Sequence, residues 1–590
     1  MLVYFENHPY PDKSVFNKLK IGDTDKHVVP IQRSENGWVI EHIGYLFVSM
    51  ASGGEPVFIL PKLFLNKDSA HPEEGETLLG MPGIKPEQIY DSDPDRNILA
   101  QRGQDTFLPE LSLWLFRAMS RYREDRSKED TPITKDELYY RAPEHGARDR
   151  DFLSTAIHLI DFLSDHRNLF TQITKINNSG RSAVDWRKTI QQHPFIKGGK
   201  PYYLDLRIKD KAINIDEELI VLYYSVLRYL KEKFHFRINY GEINYTLKSS
   251  REIQNYLDTG VGKRRMRDMK GKYFRDDLLE LWSLLDAFFD CNISQDDKDP
   301  IKECLVTKQF NLVFERMVDT LISNSQKLDN LKTQKDGKLV DHLFLYHSIF
   351  GPQHTIYYIG DSKYYPKDRH PVDVALYKQF TYAKNAIQYN IDQYYIRHKK
   401  NPDSIRYRDE ETEGYNITPN FFICPKIEPD NLDFTKHSFA PTDWKFKPNK
   451  HFEDRLFDRD TLFLREYEIN LIFLIAAYGA YEDCWADSIH KTIREDMIDF
   501  LNAHYSFFKI EPKDIDLYSQ NGKVGTIPFT KYFHAILTGK AYKESDDSNE
   551  LILAFEKNTH EGKADYAQVR DEIQYAINSG SIDNPVKINK

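Results

Sequence analysis

The sequence predicts a multidomain α+β protein of 590 residues: a β-rich N-terminal domain, a mostly helical middle domain and then an α/β domain. Three observations predict this order. Short apolar runs of strand length dominate the first ~65 residues, apolar residues at helical spacing dominate 108–289, and two strand-like runs between helical patterns follow residue 300. Hydrophobic residues make up 40% and charged residues 29%, which is typical of a folded globular chain rather than a disordered one.

The composition along the chain divides it into four segments. We predict a β-rich domain with a long polar loop over 1–105, a mostly helical domain over 106–300, an α/β domain over 301–510 and a helical C-terminal extension over 511–590. The acidic, proline-containing stretch 292–302 is the strongest boundary signal. No apolar run approaches the roughly 20 residues that span a bilayer, so we expect a cytoplasmic protein with no membrane partner.

The α/β segment contains the most informative pattern. Two strand-like runs, 339–350 and 355–360, are separated by "GPQH", whose Gly-Pro predicts a turn and therefore an antiparallel hairpin. A hairpin closed there places Asp341 opposite Asp361, and directly opposed side chains lie roughly 5 Å apart. Lys363 follows two residues after Asp361 and shares its face of the strand.

Two carboxylates at that spacing predict a cation site. Like charges so close repel and raise the pKa of one carboxyl group, unless a metal ion neutralises them. Hard oxygen ligands indicate Mg²⁺ or Mn²⁺, completed by water and a substrate phosphate. Lys363 would then reach a metal-bound water or the scissile phosphate.

The helix predicted before the hairpin supplies a third acid. Glu315 borders the apolar stripe of this helix, so it lies partly inward and we interpret it as a third carboxylate ligand. The stripe itself consists of Phe310, Phe314, Met317 and Leu321.

The helix predicted after the hairpin carries Gln379 and Tyr382 on one side, where they would orient water or phosphate. We expect a different side of this helix to face the sheet, formed by Leu376, Phe380, Ala383 and Ile387.

This order of residues resembles a known nuclease superfamily. A Glu on a first helix, an Asp on a second strand, a D-x-K on a third strand and a Gln on the next helix are the pattern of the PD-(D/E)xK nucleases. "IGDSKYY" followed by "YKQFTYAK" resembles the LlaJI and McrC branch of restriction endonucleases, as do "GEPVFILPKLFL", "AVDWRKTI" and "PYYLDL" upstream. The resemblance spans roughly 40–480 and departs at Val340, where the pattern has Pro, and at Ser362, where Ala is usual.

The resemblance implies a PD-(D/E)xK restriction-endonuclease-like core and a Mg²⁺-dependent DNA endonuclease of a bacterial restriction or anti-phage defence system. Asp341, Asp361, Lys363, Glu315 and Gln379 would be its catalytic residues, and the three acids its metal ligands. The substrate would be double-stranded DNA. Likeness to McrC-type subunits also implies a separate McrB-like AAA+ NTPase partner, and this sequence has no GxxxxGK[ST] motif of its own. Whether a homodimer forms to cut both strands stays open.

A second feature is a basic segment in the helical region. In a chain of net charge −10 it gathers seven cations around one acid, and counterion release makes such clusters good phosphate binders. Tyr273 or Phe274 beside it would stack on a base. We interpret Trp186, in "DWRKTI", as a packing residue. The predicted DNA-binding residues are Lys263, Arg264, Arg265, Arg267, Lys270, Lys272 and Arg275.

Three alternatives stay open at the level of sequence. The chain would be a self-sufficient type II site-specific endonuclease, or a non-catalytic adaptor in which the hairpin acids are structural and the basic segment holds DNA or an ATPase. A nuclease acting on RNA is equally compatible with the residues.

Overall fold

The structure is a computed structural model of the whole chain. The residues that it describes are 2–19, 29–50, 53–67, 76–79, 84–89, 107–128, 137–141, 152–166, 172–177, 183–213, 217–240, 245–290, 301–323, 329–332, 340–351, 355–364, 373–396, 407–409, 411–428, 432–443, 454–482, 485–544, 550–573 and 586–588. Most of the predicted boundary stretch 292–302 lies outside them.

The chain forms two compact units. The first contains 1–62, 67–116 and 134–308, and the second contains 63–66, 117–133 and 309–590. Most of the N-terminal and middle segments thus falls in the first unit, while 63–66 and 117–133 belong to the second, and the four predicted domains stay a prediction.

The elements up to residue 308 begin with short strands and continue with helices. The strands are β1 (Leu2–Phe5), β2 (Ile31–Ser34), β3 (Gly37–Ile40), β4 (Ile43–Met50), β5 (Gly53–Leu60), β6 (Leu65–Lys67), β7 (Glu76–Leu78), β8 (Tyr139–Arg141), β9 (Gln172–Asn177), β10 (Phe195–Lys197), β11 (Lys200–Tyr202), β12 (Ile208–Ile213) and β13 (Ile301–Thr307). The helices are α1 (Pro86–Ile89), α2 (Phe107–Ser127), α3 (Phe152–Asp165), α4 (Trp186–Ile190), α5 (Glu217–Phe234), α6 (Ser250–Asp258), α7 (Val261–Met269) and α8 (Asp276–Asp290), with 3-10 turns at Lys13–Leu19, Lys62–Phe64 and Lys270–Lys272.

The main sheet of the first unit has the order β1-β5-β4-β13-β8. β1 pairs with β5 in parallel, and the remaining neighbours are antiparallel. Alternate residues such as Leu46, Val48 and Ile59 are buried against Tyr4 on one face of this sheet. The β-rich N-terminus predicted from short apolar runs is therefore confirmed. β13 joins this sheet, although we predicted that residue 301 begins the α/β segment.

The elements after residue 308 alternate strands and helices. The strands are β14 (His342–His347), β15 (Thr355–Ser362), β16 (Pro419–Lys426), β17 (Phe439–Pro441), β18 (Phe463–Asn470), β19 (Tyr505–Ile510), β20 (Ile515–Ser519), β21 (Gly522–Ile527), β22 (Ala541–Tyr542) and β23 (Leu551–Glu556). The helices are α9 (Phe310–Ile322), α10 (Asp329–Lys332), α11 (Asp373–Ile396), α12 (Leu471–Gly479), α13 (Ala486–His504), α14 (Phe529–Tyr532), α15 (His534–Leu537) and α16 (His560–Ile573).

A five-stranded mixed sheet of order β14-β15-β16-β18-β17 forms the centre of the second unit. β15 pairs antiparallel with β14 and parallel with β16, so it is an internal strand. Its residues from Ile356 to Ser362 are all buried. An internal strand that is covered on both faces has few exposed positions, which explains the nearly continuous apolar run in its sequence. Gly360 lies against the ring of Phe421 on β16, where a Cβ atom would overlap that ring. The glycine therefore permits close packing just before Asp361.

α9 and α11 pack on this sheet. The predicted stripe of α9 is confirmed, since Phe310, Phe314, Met317 and Leu321 are buried, each contributing about 1.5–3 kcal/mol by leaving water.

The predicted inward face of α11 is confirmed only in part, since Ala383 and Ile387 are buried. Leu376 and Phe380 are only half-buried, whereas Gln379 and Tyr382 are fully buried. Alanines at 375, 383 and 386 on the buried side let the helix approach the sheet closely, so the polar side chains predicted to lie elsewhere point inward.

The last segment contains more strand than we predicted. Beside the helices α14, α15 and α16, 511–590 contributes the β20–β21 hairpin and the strands β22 and β23, which form a sheet with β19. β20 and β21 show no regular alternation of buried and exposed positions, because most of their side chains are exposed. Within the part of the chain that the structure describes, no helix is long and apolar enough to cross a membrane.

Candidate active site

The two predicted acids meet at one end of the β14–β15 hairpin. His342 pairs with Gly360 and His347 with Thr355, which confirms the predicted register. Continuing this register by one residue places Asp341 opposite Asp361. Asp361 is fully buried and the side chain of Asp341 is 12% exposed. The two carboxyl groups are close enough that each shifts the pKa of the other.

Two lysines contact this acid pair. Lys363 forms an ion pair with Asp361 Oδ2, as its position on the same strand face predicts. Lys378 on α11 lies with its Nζ 3.1 Å from Asp361 Oδ1 and 3.7 Å from Asp341 Oδ1. Sequence reasoning missed Lys378, although it directly precedes Gln379. The signal that would have found it is its spacing of four residues from Tyr382, which is an inward-facing position of the same helix.

The acid pair is electrostatically asymmetric. Burial raises the pKa of Asp341, and the neighbouring Asp361 raises it further. Burial also acts to raise the pKa of Asp361, but the hydrogen bond with Asp341 and the ammonium groups of Lys363 and Lys378 outweigh it and lower that pKa. The pair therefore holds a proton on Asp341 and a negative charge on Asp361, as expected for two carboxyl groups at close range.

Glu315 lies near the pair, as predicted from the edge of the α9 stripe. Burial raises its pKa, and the charge of Asp361 raises it further, while Lys378 and Lys363 act in the opposite direction. The three predicted acids thus interact electrostatically with one another.

Gln379 is fully buried on α11, and its amide makes no hydrogen bond to any residue that the structure describes. Buried amides normally have partners, and an orphaned one indicates an absent water, ion or ligand. Tyr382 is also fully buried, and its ring lies 5.4 Å from Lys378 Nζ. The helix face predicted to orient water or phosphate is therefore turned into the unit's interior.

The acid pair fits a divalent cation with two protein ligands. Among the described ranges, no three His, Cys, Asp or Glu side chains are close enough together to hold a metal ion, so the predicted set Asp341, Asp361 and Glu315 is not a preformed cage. A divalent cation would relieve the repulsion that raises the pKa of Asp341. Carboxylate oxygens suit Mg²⁺ or Mn²⁺, which commonly complete their coordination with water and substrate oxygens.

A buried polar network lies on the opposite face of the hairpin, and sequence reasoning missed it. His342 is fully buried, with its Nε2 2.5 Å from Ser362 Oγ and its Nδ1 3.4 Å from Asp319 Oδ1. Lys332 Nζ lies 2.5 Å from Asp319 Oδ2. Burial acts to raise the pKa of Asp319, but His342 and Lys332 outweigh it and lower that pKa. The backbone N–H of Ser362 donates to Asp341 Oδ2 over 3.4 Å, so the network ends beside the acid pair.

The predicted DNA-binding segment forms α7 and the turn after it, in the first unit. Four of its seven cations are paired with acids: Lys263 with Asp286 and Asp290, Arg265 and Lys272 with Glu218, and Arg275 with Asp277. The remaining three, Arg264, Arg267 and Lys270, are exposed and form no ion pair with a described residue. The available positive charge is therefore smaller than the sequence suggests.

The two aromatic residues beside this segment differ in exposure. Phe274 is 87% exposed, whereas Tyr273 is buried and its hydroxyl contacts the sulfur of Met269. Of the two, Phe274 is the one placed to meet a ligand.

Comparison with known proteins places the chain in a class of nucleases. The LlaJI restriction endonuclease family matches residues 101–435, more than half of the chain. The chain belongs to this family, and the matched range includes Glu315, Asp341, Asp361, Lys363 and Gln379. The resemblance to the LlaJI branch of restriction endonucleases noted from the sequence is thus confirmed.

The chain was also compared with curated proteins and with solved structures. No curated protein matches this chain. One solved structure that matches is a refined half-complex from a tetradecameric assembly of Thermococcus gammatolerans McrB AAA+ hexamers with bound McrC. It is 12% identical, covers 85% of this chain and 99% of that one, and superposes with a TM-score of 0.26, which is too low to establish a shared fold.

Proposed function

We propose that this chain is a metal-dependent DNA endonuclease that cleaves phosphodiester bonds as the nuclease subunit of a restriction or anti-phage system. The observation that carries the proposal is the buried pair Asp341 and Asp361 at the end of the β14–β15 hairpin, with Lys363 in contact with Asp361. Membership of a restriction endonuclease family supports the choice of DNA as substrate.

The catalytic roles follow from the position of each side chain. Asp341 and Asp361, assisted by Glu315, would hold Mg²⁺ or Mn²⁺, which supplies an activated water and stabilises charge on the leaving 3′ oxygen. Lys363 brings an ammonium group to the same end of the strand, where it neutralises the scissile phosphate or orients the attacking water. Gln379 offers an unsatisfied buried amide that would bind a water or phosphate oxygen in the loaded site.

The partner is part of the proposal. The likeness of "IGDSKYY" and "YKQFTYAK" to McrC-type subunits supports a separate McrB-like AAA+ NTPase that drives cleavage. A self-sufficient type II endonuclease would cleave DNA without that partner. Cleavage measured with and without the NTPase therefore distinguishes the two arrangements.

Plasmid cleavage tests the function directly. Purified protein is assayed with Mg²⁺, Mn²⁺ or EDTA, with and without a McrB-like NTPase, beside the variants Asp361→Asn and Lys363→Ala. We expect metal-dependent nicking that both substitutions abolish, while Lys384→Ala, a change on α11 at a lysine paired with Asp460, retains activity.

The remaining hypotheses predict different results. Full restriction activity in a folded Asp361→Asn variant would support the non-catalytic adaptor. Faster hydrolysis of matched RNA than of DNA would support a ribonuclease. Cleavage that is identical with and without the NTPase would support the self-sufficient endonuclease.

A further inference from the structure

A largely exposed segment of the first unit, which we call the arm, begins just before α4 and ends in the first residues of β12. The arm comprises residues 183–209 and contains α4, β10 and β11. β10 and β11 form a two-stranded hairpin joined by Gly198 and Gly199, both with positive φ, as tight hairpin turns require. All residues of both strands are exposed.

The arm exposes an unusual amount of apolar surface. We interpreted Trp186 as a packing residue, and that interpretation is wrong, because its side chain is 58% exposed. Apolar side chains along the arm that are between 50% and 80% exposed are Trp186, Ile190, Phe195, Ile196, Tyr202 and Leu204. Several large apolar side chains exposed within one short segment are a common feature of interaction sites.

The arm is also positively charged. It carries six basic residues and two acidic ones, within a chain whose net charge is −10. Lys209 lies 3.9 Å from Asp185, which also caps α4. No ion pair to a described residue involves Arg187, Lys188, Lys197 or Lys200.

The hairpin places aromatic and basic side chains on one face. Phe195 is opposite Tyr202, and Lys197 is opposite Lys200. Because side chains two residues apart share a strand face, all four project on the same side. Two lysines directly opposed on a hairpin repel each other and destabilise it. An anion between them would remove that repulsion.

We propose that the arm is a nucleic-acid contact surface, separate from the basic segment on α7, in which Lys197 and Lys200 bind phosphates and Phe195 and Tyr202 stack on bases or sugars. This inference rests on the proposed function for the choice of DNA as the polyanion. Lysines beside aromatic rings are the combination that binds a nucleic-acid backbone and its bases without sequence readout. An acidic protein surface would use the lysines but has no comparable requirement for the paired rings.

Binding, measured without cleavage, tests the proposal. Fluorescence anisotropy follows a short labelled DNA duplex and the matching single strand in EDTA, with full-length wild type and the double variant Lys197→Ala/Lys200→Ala. We expect the variant to bind about tenfold more weakly, with a slope of log affinity against log salt reduced by roughly 1.8 for the duplex. Phe195→Ala should weaken binding without changing that slope.

The matched control is Lys523→Ala on the exposed β20–β21 hairpin of the second unit, which should bind DNA as wild type does. Thermal melting shows that the variants, all at exposed positions, remain folded. Wild-type affinity and salt dependence in both arm variants would overturn the proposal, as would their selective loss of binding to an acidic protein. Because binding is read in EDTA, failure to cleave DNA leaves this result unaffected.

Discussion

Lys378 Nζ lies 3.1 Å from Asp361 Oδ1, from a helix that follows the acid strand in the chain. The same ammonium group reaches Asp341 at 3.7 Å, so a single lysine spans both carboxyl groups. Burial acts to lower the pKa of Lys378, but the two carboxyl groups outweigh it and raise that pKa, so the group stays charged at neutral pH.

Lys378→Gln should increase the Mg²⁺ concentration needed for half-maximal cleavage by about 10- to 100-fold, the usual effect of removing a group that orients metal ligands. The reason is that Lys378 holds both carboxylates in place and favours their ionised forms. A magnesium titration of plasmid cleavage measures this, with Lys384→Gln on the same helix as control. A lower magnesium requirement would show instead that Lys378 competes with the cation.

Gly360→Ala should reduce both stability and cleavage. The new methyl group would overlap the ring of Phe421, and overpacking of this kind costs about 1–3 kcal/mol. To relieve this overlap, β15 must shift at the residue before Asp361. Cleavage should therefore fall by more than the decrease in the amount of folded protein can explain. Urea unfolding and cleavage at a temperature where the variant is folded measure the two effects. Gly525→Ala on β21 is the control, since a Cβ atom there meets nothing within 4 Å.

His342→Ala should destabilise the second unit by about 2–5 kcal/mol, because it opens a cavity, leaves Ser362 Oγ without its buried partner and removes one of the contacts of Asp319. Removing the exposed His534 in the same unit should change the unfolding free energy by less than about 0.5 kcal/mol. Urea unfolding of both variants provides the comparison. Equal stabilities would show that the network contributes nothing to the fold.

Asp454→Asn should increasingly stabilise the protein relative to wild type as pH rises from about 4 to about 7. Burial raises the pKa of Asp454 to about 7, against the opposing effects of the Glu556 N–H and Lys540. The native state therefore binds a proton that the unfolded state releases near pH 4, and the stability from this proton, complete below about pH 4, is lost as pH rises through about 7. Asn does not titrate, and it also suits the positive φ of 56° at this position.

Urea unfolding at about pH 5 and about pH 8.5 should show the unfolding free energy of Asp454→Asn rising relative to wild type by roughly 2–3 kcal/mol, since each pH unit between about 5 and about 7 contributes about 1.4 kcal/mol. A pH-independent difference would mean that the backbone conformation at 454, and not the charge, decides the effect.

The sequence predicted the hairpin and its acid pair because both depend on local rules. The Gly-Pro turn and the strand period determine the register, so Asp341 and Asp361 were found together, and the apolar spacing of α9 placed Glu315 beside its buried stripe. These features require no knowledge of distant contacts.

Features that depend on tertiary packing were not predictable in the same way. The inward face of α11 is set by which side fits closely against the sheet, and alanines there outweigh the larger apolar residues on the neighbouring side. His342 looked like any strand residue, since Asp319 and Lys332 come from other elements. Trp186 was assigned to the interior because most tryptophans are largely buried.

The family match ends at residue 435, but the sheet that carries the acid pair includes strands beyond that residue. β18, at 463–470, pairs with the edge of β16 that β15 leaves open, and β17, at 439–441, pairs with the other edge of β18. A chain shortened to 435 would expose the full hydrogen-bonding edge of β16, an apolar strand ready to pair with another copy, and would be prone to aggregation. The matched range therefore leaves out two of the five strands of the sheet that carries the acid pair.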